Sequence, residues 1–362
     1  MMQTQKTLVE RSWRWLDTRY RLSSLMDAML HVDIPHTVRT YYLGGITLFF
    51  FMVQAITGIL LSLYYQPSPD TAYDSVLFIM NEVNFGWLIR SVHAWGANLM
   101  IIFSVLHLLR IFFQGVYKIP REITWVVGVF LLLATLGFGF TGYLLPWDQR
   151  AFWATTVGSE IAGAVPVIGE QLLVFLRGGP EVTARTLSRF FGVHVLVLPV
   201  TLLGLLAVHL TFVHQQGLAD PTRRVASQDE TEVETPAQPK RKMLPFFPNY
   251  LLDEVIAWYI MLAALIVLAS LFPAGLEEPA DPLHTPEHTK PEWYFLFLYQ
   301  GLKIVPRTVG VLAPFIGILV VLFLPFIDRN RYLAPIRRPI AIAVGALALI
   351  GIVAFTIWGW LS

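Results

Sequence analysis

Cysteine is absent from the 362 residues of this sequence. This absence excludes disulfide bonds, cysteine-ligated zinc or iron–sulfur clusters within the chain, and thioether attachment of a haem. Charge is also scarce, since Asp, Glu, Lys and Arg make up 14% of the residues and the formal net charge is +1. A near-neutral balance gives no indication of a nucleic-acid partner, and so low a charged fraction is not that of a soluble domain.

Hydrophobic residues, by contrast, make up 55% of the chain, and most of them fall in long runs. A run of about 20 apolar residues crosses the hydrocarbon core of a bilayer as a helix. The sequence therefore predicts an all-α membrane protein with seven transmembrane helices. The predicted spans are residues 43–64, 88–113, 124–145, 190–213, 251–272, 309–327 and 339–360.

Four segments follow from these runs. Residues 1–40 begin with a basic, amphipathic stretch that lacks the apolar core of a signal peptide, and they predict a helix lying on the membrane surface. Residues 41–215 form a four-span half. Residues 216–248 are polar and of low complexity, which predicts a linker. Residues 249–362 form a three-span half.

The distribution of positive charge predicts the orientation. With the N-terminus inside and seven spans, 18 of the 26 Lys and Arg residues fall on the inner side. The C-terminus and the loops 146–189 and 273–308 then lie outside. Two shorter apolar stretches in these loops, 161–176 and 293–304, predict interfacial or re-entrant helices.

Four histidines lie within predicted spans. His93 and His107 are fourteen residues apart in the second span, and His194 and His209 are fifteen apart in the fourth. Both spans run from outside to inside, so His93 and His194 (the outer pair) share one depth, while His107 and His209 (the inner pair) share another. The two depths are about 21–22 Å apart. A single intramembrane histidine is more often a hydrogen-bonded core residue, but two matched pairs favour axial ligands of two planar metal macrocycles. Pro199 can kink the fourth span and take up some of the unequal spacing.

Glycines repeat the fourteen-residue period. Gly44 and Gly58 lie in the first span, and Gly128 and Gly142 lie in the third. Glycines in membrane helices often serve only close helix packing. Their shared period predicts instead that each leaves room for a ring at one of the two levels.

Two motifs carry a family resemblance. "GYLLPWDQRAFWATTVG" (142–158) and "KPEWYFLFLYQGLKIVP" (290–306) resemble stretches of cytochrome b from the quinol–cytochrome c reductase (Rieske/cytochrome b) family. The resemblance covers about residues 30–360. The first half is most similar to the photosynthetic branch of chloroplasts and cyanobacteria, on "YYLGGITLFFFMVQAITG" and "NEVNFGWLIRSVH". That branch divides the protein into two chains, whereas here the halves are fused.

The resemblance implies a proton-translocating enzyme subunit. Quinol would be oxidised at an outer site, with one electron passing to a Rieske iron–sulfur protein and onward to a c-type cytochrome. The other electron would cross the membrane through two b haems to an inner quinone site. A homodimer within a multi-subunit complex, in a bacterial plasma membrane, is expected.

The haem ligands follow from the resemblance. His93 and His194 would ligate the low-potential haem, and His107 and His209 the high-potential haem. Arg90 and Arg110 would lie near haem propionates, because a guanidinium pairs bidentately with a carboxylate. The alternative is that both arginines simply mark the positive ends of a span. The sequence departs from the photosynthetic branch at Ala94, where that branch usually has an arginine, and this difference bears on the propionate contacts.

The resemblance also places the outer quinol site. Glu292 of the "PEWY" motif would accept a proton from quinol. Tyr143, Trp153, Tyr299 and the 161–176 helix would line the pocket. For each aromatic residue, ordinary packing or anchoring at the membrane interface is the alternative.

At the inner site the chain looks like a hybrid. Tyr42 stands where the photosynthetic branch has the cysteine that attaches a third haem, so a covalent third haem is not expected. His214 stands where the respiratory branch has a quinone-contacting histidine. It would act with Asp253 or Glu254 as proton donor, and an interfacial histidine is the alternative.

Two other functions use some of the same features. A dihaem membrane anchor, which conducts electrons for a quinone-linked dehydrogenase, would need the four histidines but neither the "PEWY" loop nor the second half. A carrier or channel would need more intramembrane charge or a repeat that relates the halves.

Overall fold

A computed structural model of the protein describes residues 7–24, 33–35, 42–217, 243–286, 290–330 and 332–362, and the statements below refer to these residues. Most of the predicted linker and parts of the N-terminal segment lie outside them. The helices in chain order are α1 (Leu8–Tyr20), α2 (Leu43–Ser62), α3 (Ala72–Asn81), α4 (Gly86–Phe113), α5 (Glu122–Tyr143), α6 (Gln149–Gly163), α7 (Gly169–Arg177), α8 (Ala184–Gly192), α9 (Leu198–Gln216), α10 (Leu251–Leu271), α11 (Leu296–Ile304), α12 (Arg307–Leu322), α13 (Leu324–Ile327) and α14 (Pro339–Leu361).

Shorter elements connect them. Two π-helical turns, Val193–Val197 and Phe246–Tyr250, lead directly into α9 and α10. Single 3₁₀ turns lie at Trp293–Phe295 and Pro335–Arg337. Two short strands, β1 (Asp33–Pro35) and β2 (Met243–Pro245), pair antiparallel with Ile34 opposite Leu244.

Six helical segments of the described chain are long and apolar enough to cross a membrane. Their bounds are Leu43–Ser62, Gly86–Phe113, Glu122–Tyr143, Ala184–Gln216, Phe246–Leu271 and Pro339–Leu361. Each lies at a predicted span, because an uninterrupted apolar sequence forms a helix whose backbone groups are all satisfied internally. The protein is therefore an integral membrane protein that is mostly helical.

The predicted span 309–327 is less regular. It corresponds to α12, a 16-residue helix with Pro314 inside it, and to α13, which begins after a break at Phe323. Sixteen helical residues rise about 24 Å, which is less than the roughly 30 Å of a hydrocarbon core. The expected total of seven spans is therefore not confirmed by helix length, and α12 as a span stays a prediction.

The four spans of the first half pack side by side. α4 lies against α2, and α9 lies against α5. α10 of the second half packs on both α4 and α2, so the two halves share one apolar core. The buried residues at its centre are Ile46, Phe49, Phe50, Met100, Ala134, Leu202 and Leu265.

A buried polar cluster also joins the halves, at the predicted inner end. Asp328, which follows α13, receives the Tyr117 hydroxyl and the Lys118 ammonium, whose Nζ lies 3.0 Å from Oδ2. Arg338 donates to the Tyr117 hydroxyl over 3.0 Å and to the Phe113 carbonyl at the end of α4 over 2.7 Å. Removal of one partner of a buried ion pair costs about 3–5 kcal/mol, so this cluster is a firm connection between the halves.

The outer loop after α5 forms a helical hairpin. The predicted helix over 161–176 is wrong in its bounds, because α6 ends at Gly163 and α7 begins at Gly169. Arg177 holds the hairpin closed, since its buried guanidinium donates to Ser159 Oγ over 2.6 Å and to the Thr156 carbonyl over 2.8 Å. These hydrogen bonds connect the end of α7 to α6.

Candidate functional site

The outer pair has the spacing of two ligands on one metal. The ring centres of His93 and His194 lie 6.4 Å apart, with their planes inclined by 69°. A metal bonded to one nitrogen of each ring, at about 2.0 Å per bond, holds the ring centres about 6 Å apart. The described residues contain no group of three or more His, Asp or Glu side chains that could hold a metal ion. Two histidines alone suit a macrocycle that supplies the remaining ligands in its own plane.

Two threonines fix the protonation of the outer pair. His93 Nδ1 lies 2.8 Å from Thr57 Oγ1, and the Thr57 hydroxyl donates its own hydrogen to the backbone carbonyl four residues earlier over 2.7 Å. Thr141 repeats this arrangement at His194, with distances of 2.9 and 2.8 Å. Because each hydroxyl hydrogen is used, the threonine oxygen accepts from Nδ1–H, and we assign that tautomer from the bonding. Nε2 of each outer histidine is then left with the lone pair that binds a metal.

The four glycines each face one histidine of their own level. A Cβ added to Gly44, Gly58, Gly128 or Gly142 would lie 3.2, 3.3, 3.4 or 2.5 Å from Cε1 of His107, His93, His209 or His194 respectively. The outer-level glycines thus meet the outer pair, and the inner-level glycines meet the inner pair. The ring that each glycine faces is an imidazole, and room for a macrocycle beside these glycines stays a prediction.

The inner pair is held less tightly. His107 and His209 lie close enough to interact electrostatically, and each touches its glycine. Nδ1 of both rings is buried without a hydrogen bond of acceptable geometry among the described residues, although the backbone of Thr124 lies near His209. The residues that precede the inner glycines are Leu43 and Val127, where the outer level has threonine. Within the described chain, the two levels therefore differ in the hydrogen bond to histidine Nδ1, which a threonine hydroxyl accepts at the outer level but not at the inner level.

The unequal spacing of the histidines is resolved by the π-helical turn at Val193–Val197, which contains His194. The amide of Leu198 donates to the carbonyl of Val193, five residues earlier. Pro199 follows directly and has no amide hydrogen to give to an α-helical bond. A π turn takes in one more residue than an α turn, so fifteen residues in the fourth span match fourteen in the second. The adjustment lies in this turn, and a kink at Pro199 stays a prediction.

Glu292 lies half-buried at the outer end, with 25% of its side chain exposed. Its Oε1 is 3.8 Å from Arg150 Nη1, and the other nitrogen of Arg150 contacts the carboxylate of Glu277. Burial raises the pKa of Glu292, the Arg150 charge lowers it, and the Glu277 charge raises it further. Tyr143 belongs to the same electrostatic group, and its buried hydroxyl has no hydrogen-bond partner among the described residues. The Glu292 carboxylate and the Tyr143 phenol therefore lie within electrostatic reach of each other.

The rest of the motif is fastened to the bundle near the outer pair. Trp293 Nε1 donates to Asn98 Oδ1 on α4 over 2.6 Å, one and a half turns from His93. Gly139 of α5 faces the Tyr294 hydroxyl, which would lie 2.9 Å from a Cβ at that position. The "PEWY" motif is therefore at the same end of the bundle as the outer pair.

Two other expected pocket residues have different contacts. Trp153 Nε1, on α6, donates to the His284 carbonyl over 3.2 Å and so connects the hairpin to the second half. Lys303 Nζ lies 4.3 Å from the ring centre of Tyr299 on α11. A quinol contact for Trp153 or Tyr299 stays a prediction.

The two expected propionate arginines lie near the ends of α4. Arg90 donates to the carbonyls of Ala274 and Gly275 over 2.5 and 2.8 Å, so its guanidinium fastens the loop that follows α10. Arg110 lies in the last turn of α4, within electrostatic reach of His107. A propionate contact for either arginine stays a prediction.

At the inner end, residues of both halves meet. The Tyr42 hydroxyl lies 3.3 Å from Asp253 Oδ2, and the Glu254 carboxylate packs directly on Gly45. His214 is exposed in the last turn of α9. The structure thus turns Tyr42 toward the second half, and the quinone roles of His214 and Asp253 stay predictions.

Several residues of the site were missed by sequence reasoning. Thr57 and Thr141 had a readable signal, since each directly precedes an outer-level glycine. Arg150 and Glu277 had none, because they are far apart in sequence and only the folded chain brings them to Glu292.

Comparisons with known proteins match both halves of the chain. A family profile described as "Cytochrome b/b6/petB" matches residues 29–217, and one described as "Cytochrome b(C-terminal)/b6/petD" matches residues 279–362. A "Cytochrome bc complex cytochrome b subunit" from Chlorobaculum thiosulfatiphilum is 43% identical over 324 residues, which cover 87% of this chain and 73% of the relative. A "Menaquinol:cytochrome c reductase cytochrome b subunit" from Geobacillus thermodenitrificans is 43% identical over 223 residues, covering 59% of this chain and all of the relative.

A solved structure is similar over nearly the whole chain. It is described as "Hyperthermophilic respiratory Complex III" and is 33% identical, with a TM-score of 0.83. The match covers 96% of this chain and 90% of that one. Both halves of the fold therefore have a counterpart in a single known architecture.

Proposed function

The chain belongs to the cytochrome b family, and on that premise we propose that its two histidine pairs hold two non-covalent b haems between an outer quinol site and an inner quinone site. The family expected from the sequence is confirmed. The protein is a cytochrome b subunit of a quinol–cytochrome c reductase type complex.

One observation carries the proposal: each histidine of the two pairs faces a glycine of its own level. A haem b bound at each level would carry one electron at a time and so supply the path across the membrane. The threonine bonds to the outer pair orient both rings and leave Nε2 for the iron. His93 and His194 are proposed for the outer haem, and His107 and His209 for the inner one.

The residues at the outer end suit quinol oxidation. Quinol loses two protons as it loses two electrons, so the site needs a base. Glu292 is half-buried between the bundle and the hairpin, and burial raises the pKa of its carboxyl. A base with a raised pKa takes a proton more readily at neutral pH. We propose Glu292 as the acceptor of a quinol proton, with Tyr143 beside it.

Because the chain has no cysteine, the iron–sulfur acceptor of the other electron must lie on a partner. We propose a Rieske protein and a c-type cytochrome as partners, in a dimeric complex. The fused, hybrid sequence pattern supports our proposal of a bacterial plasma membrane, and the charge distribution supports an N-terminus on the inner side. A dihaem anchor for a dehydrogenase is disfavoured, since the "PEWY" motif is bonded to α4 through Trp293 and Asn98.

Glu292→Gln tests the outer site. The amide cannot accept the proton, so we expect quinol–cytochrome c reductase activity to fall roughly a hundredfold, with haem content unchanged. Steady-state reduction of cytochrome c by the purified complex measures this. Glu278→Gln, an exposed carboxylate in the same outer loop, is the matched control and should keep its activity. Equal activity in Glu292→Gln and Glu278→Gln would remove Glu292 from the reaction.

Thr141→Val tests the assigned tautomer. A hydrogen bond accepted from Nδ1–H makes an imidazole a more basic ligand, which favours the oxidised iron. Its loss should raise the midpoint potential of one haem by roughly 30–60 mV and leave the other unchanged, as measured by redox titration. Thr135→Val is the control, since within the described chain the Thr135 hydroxyl donates to the Leu131 carbonyl on the same helix and contacts no histidine nitrogen. Equal shifts in both variants would contradict the assignment.

A further inference from the structure

The outer loops bring a second carboxylate to the proposed proton acceptor. The guanidinium of Arg150, in the first turn of α6, lies between Glu277 and Glu292. It contacts Glu277 directly and is 3.8 Å from Glu292 Oε1, beyond hydrogen-bond distance. Arg150 is therefore bonded to one carboxylate while it acts on the other through its charge.

The backbone fixes Glu277 where Arg150 can reach it. The Tyr73 hydroxyl donates to the Glu277 carbonyl over 2.9 Å, and the Glu277 amide donates to Asp148 Oδ2 over 3.2 Å. Asp148 also caps α6 by accepting from the Ala151 amide over 2.8 Å. One aspartate thus accepts hydrogen bonds both from the start of the Arg150 helix and from the backbone of Glu277, so it brings the two segments of the ion pair together.

This arrangement has a consequence for proton uptake. When Glu292 is ionised, Arg150 stabilises it. When Glu292 takes a proton, Arg150 keeps Glu277 as its partner. The side chains of Arg150 and Glu277 are 46% and 41% exposed, so solvent screens this ion pair, and the pair acts on Glu292 through its charges alone.

We propose that Arg150 and Glu277 form a positioning pair that sets the pH at which Glu292 changes between its ionised and protonated forms. The inference rests on the proposed role of Glu292 as proton acceptor. Neither residue is placed in contact with quinol. The proton moves from a quinol hydroxyl to a Glu292 oxygen, and the pair decides how readily that oxygen holds it.

The two members of the pair act in opposite directions. The positive charge of Arg150 favours the Glu292 anion, whereas the negative charge of Glu277 disfavours it. Among the described residues, Tyr143 and Tyr294 also interact electrostatically with Glu292, and Asp148 interacts with Tyr143. Burial raises the pKa of Tyr294, so this phenol stays neutral and adds no charge at the site.

The test is the pH dependence of quinol oxidation in the intact complex. A base must be ionised to act, so the rate falls as the pH drops through the pKa of Glu292. Arg150→Gln removes the stabilising charge, and the acid limb should move to higher pH by about one unit. Glu277→Gln removes the opposing charge and frees Arg150 for Glu292, so the limb should move to lower pH. Arg150→Lys keeps the charge and should stay near the wild-type profile.

Controls separate this inference from the proposed function. Glu278→Gln removes a charge from the next residue and should leave the profile unchanged. In a Glu292→Gln background, neither substitution should shift what remains of the acid limb. The haem content of each variant is measured to check that the complex has assembled.

Each outcome decides the question. The positioning pair is supported if Arg150→Gln and Glu277→Gln shift the acid limb in opposite directions and if neither shift occurs in the Glu292→Gln background. The positioning pair is contradicted if both substitutions shift the acid limb in the same direction, if neither shifts it, or if the shifts persist in the Glu292→Gln background. If only the large loss of activity in Glu292→Gln is observed, the proposed function stands without the positioning pair. An unchanged rate in Glu292→Gln would overturn both.

Discussion

His194→Leu should reduce the haem b content of the purified complex from two to one per cytochrome b chain. The leucine side chain has no nitrogen to bind the haem iron. His93 would be the one remaining ligand from the outer pair, and we expect it to be insufficient to retain the outer haem. Quinol oxidation should fall to the background rate, because an electron from the outer site would have no carrier. Pyridine haemochrome spectra and cytochrome c reduction measure the two effects.

His284→Leu is the matched control for this substitution. His284 lies on the outer loop and its side chain is 88% exposed, so this variant should keep both haems and its activity. Two haems in His194→Leu would mean that the outer pair is a hydrogen-bonded core pair. Loss of both haems would mean that the two levels do not bind independently.

Gly142→Ala should strongly weaken the outer haem site, while Gly128→Ala should leave the inner one occupied. Both glycines lie on α5 and both face a histidine. The new Cβ would come within 2.5 Å of His194 Cε1 at residue 142, but would lie 3.4 Å from His209 Cε1 at residue 128. The first distance forces the ring or the helix to move, whereas the second is ordinary contact. We expect haem b content to fall toward one per chain only in Gly142→Ala.

These two variants control for each other. The same methyl group enters the same helix, so any general effect on helix packing or membrane insertion is shared. Equal haem content in the two variants would show that the glycines serve helix packing and not the histidine rings. A larger loss in Gly128→Ala would contradict the geometry of the two levels.

Much of this fold can be predicted from sequence, because a bilayer admits few solutions. A long apolar run that must satisfy its own backbone becomes a helix, and six of the predicted spans appear with bounds that shift by at most a few residues, except in the fourth. There the helix extends well before the apolar run, to Ala184, because α8 and the π turn continue into α9. The span at 309–327 is broken at Phe323, between α12 and α13, whereas Pro314 lies inside α12 without ending it.

The residues of the candidate site are also only partly predictable from the sequence. Regular spacing exposes the histidines and glycines, since residues of matched depth recur at matched intervals along neighbouring spans. The π turn at His194 is a local adjustment that periodicity alone does not show, although Pro199 marks its position. Arg150 and Glu277 depend on how the hairpin and the loop after α10 meet, and no short pattern encodes a contact between segments so far apart.

The central claim is that this one chain holds two b haems, one at each histidine level. The most direct measurement is the amount of haem extracted by acidic acetone from the purified complex, divided by the amount of cytochrome b chain. The account predicts two non-covalent haems per chain. A value of one would leave a histidine pair without its cofactor, and a value of three would place another haem outside the two pairs; either result would contradict the account.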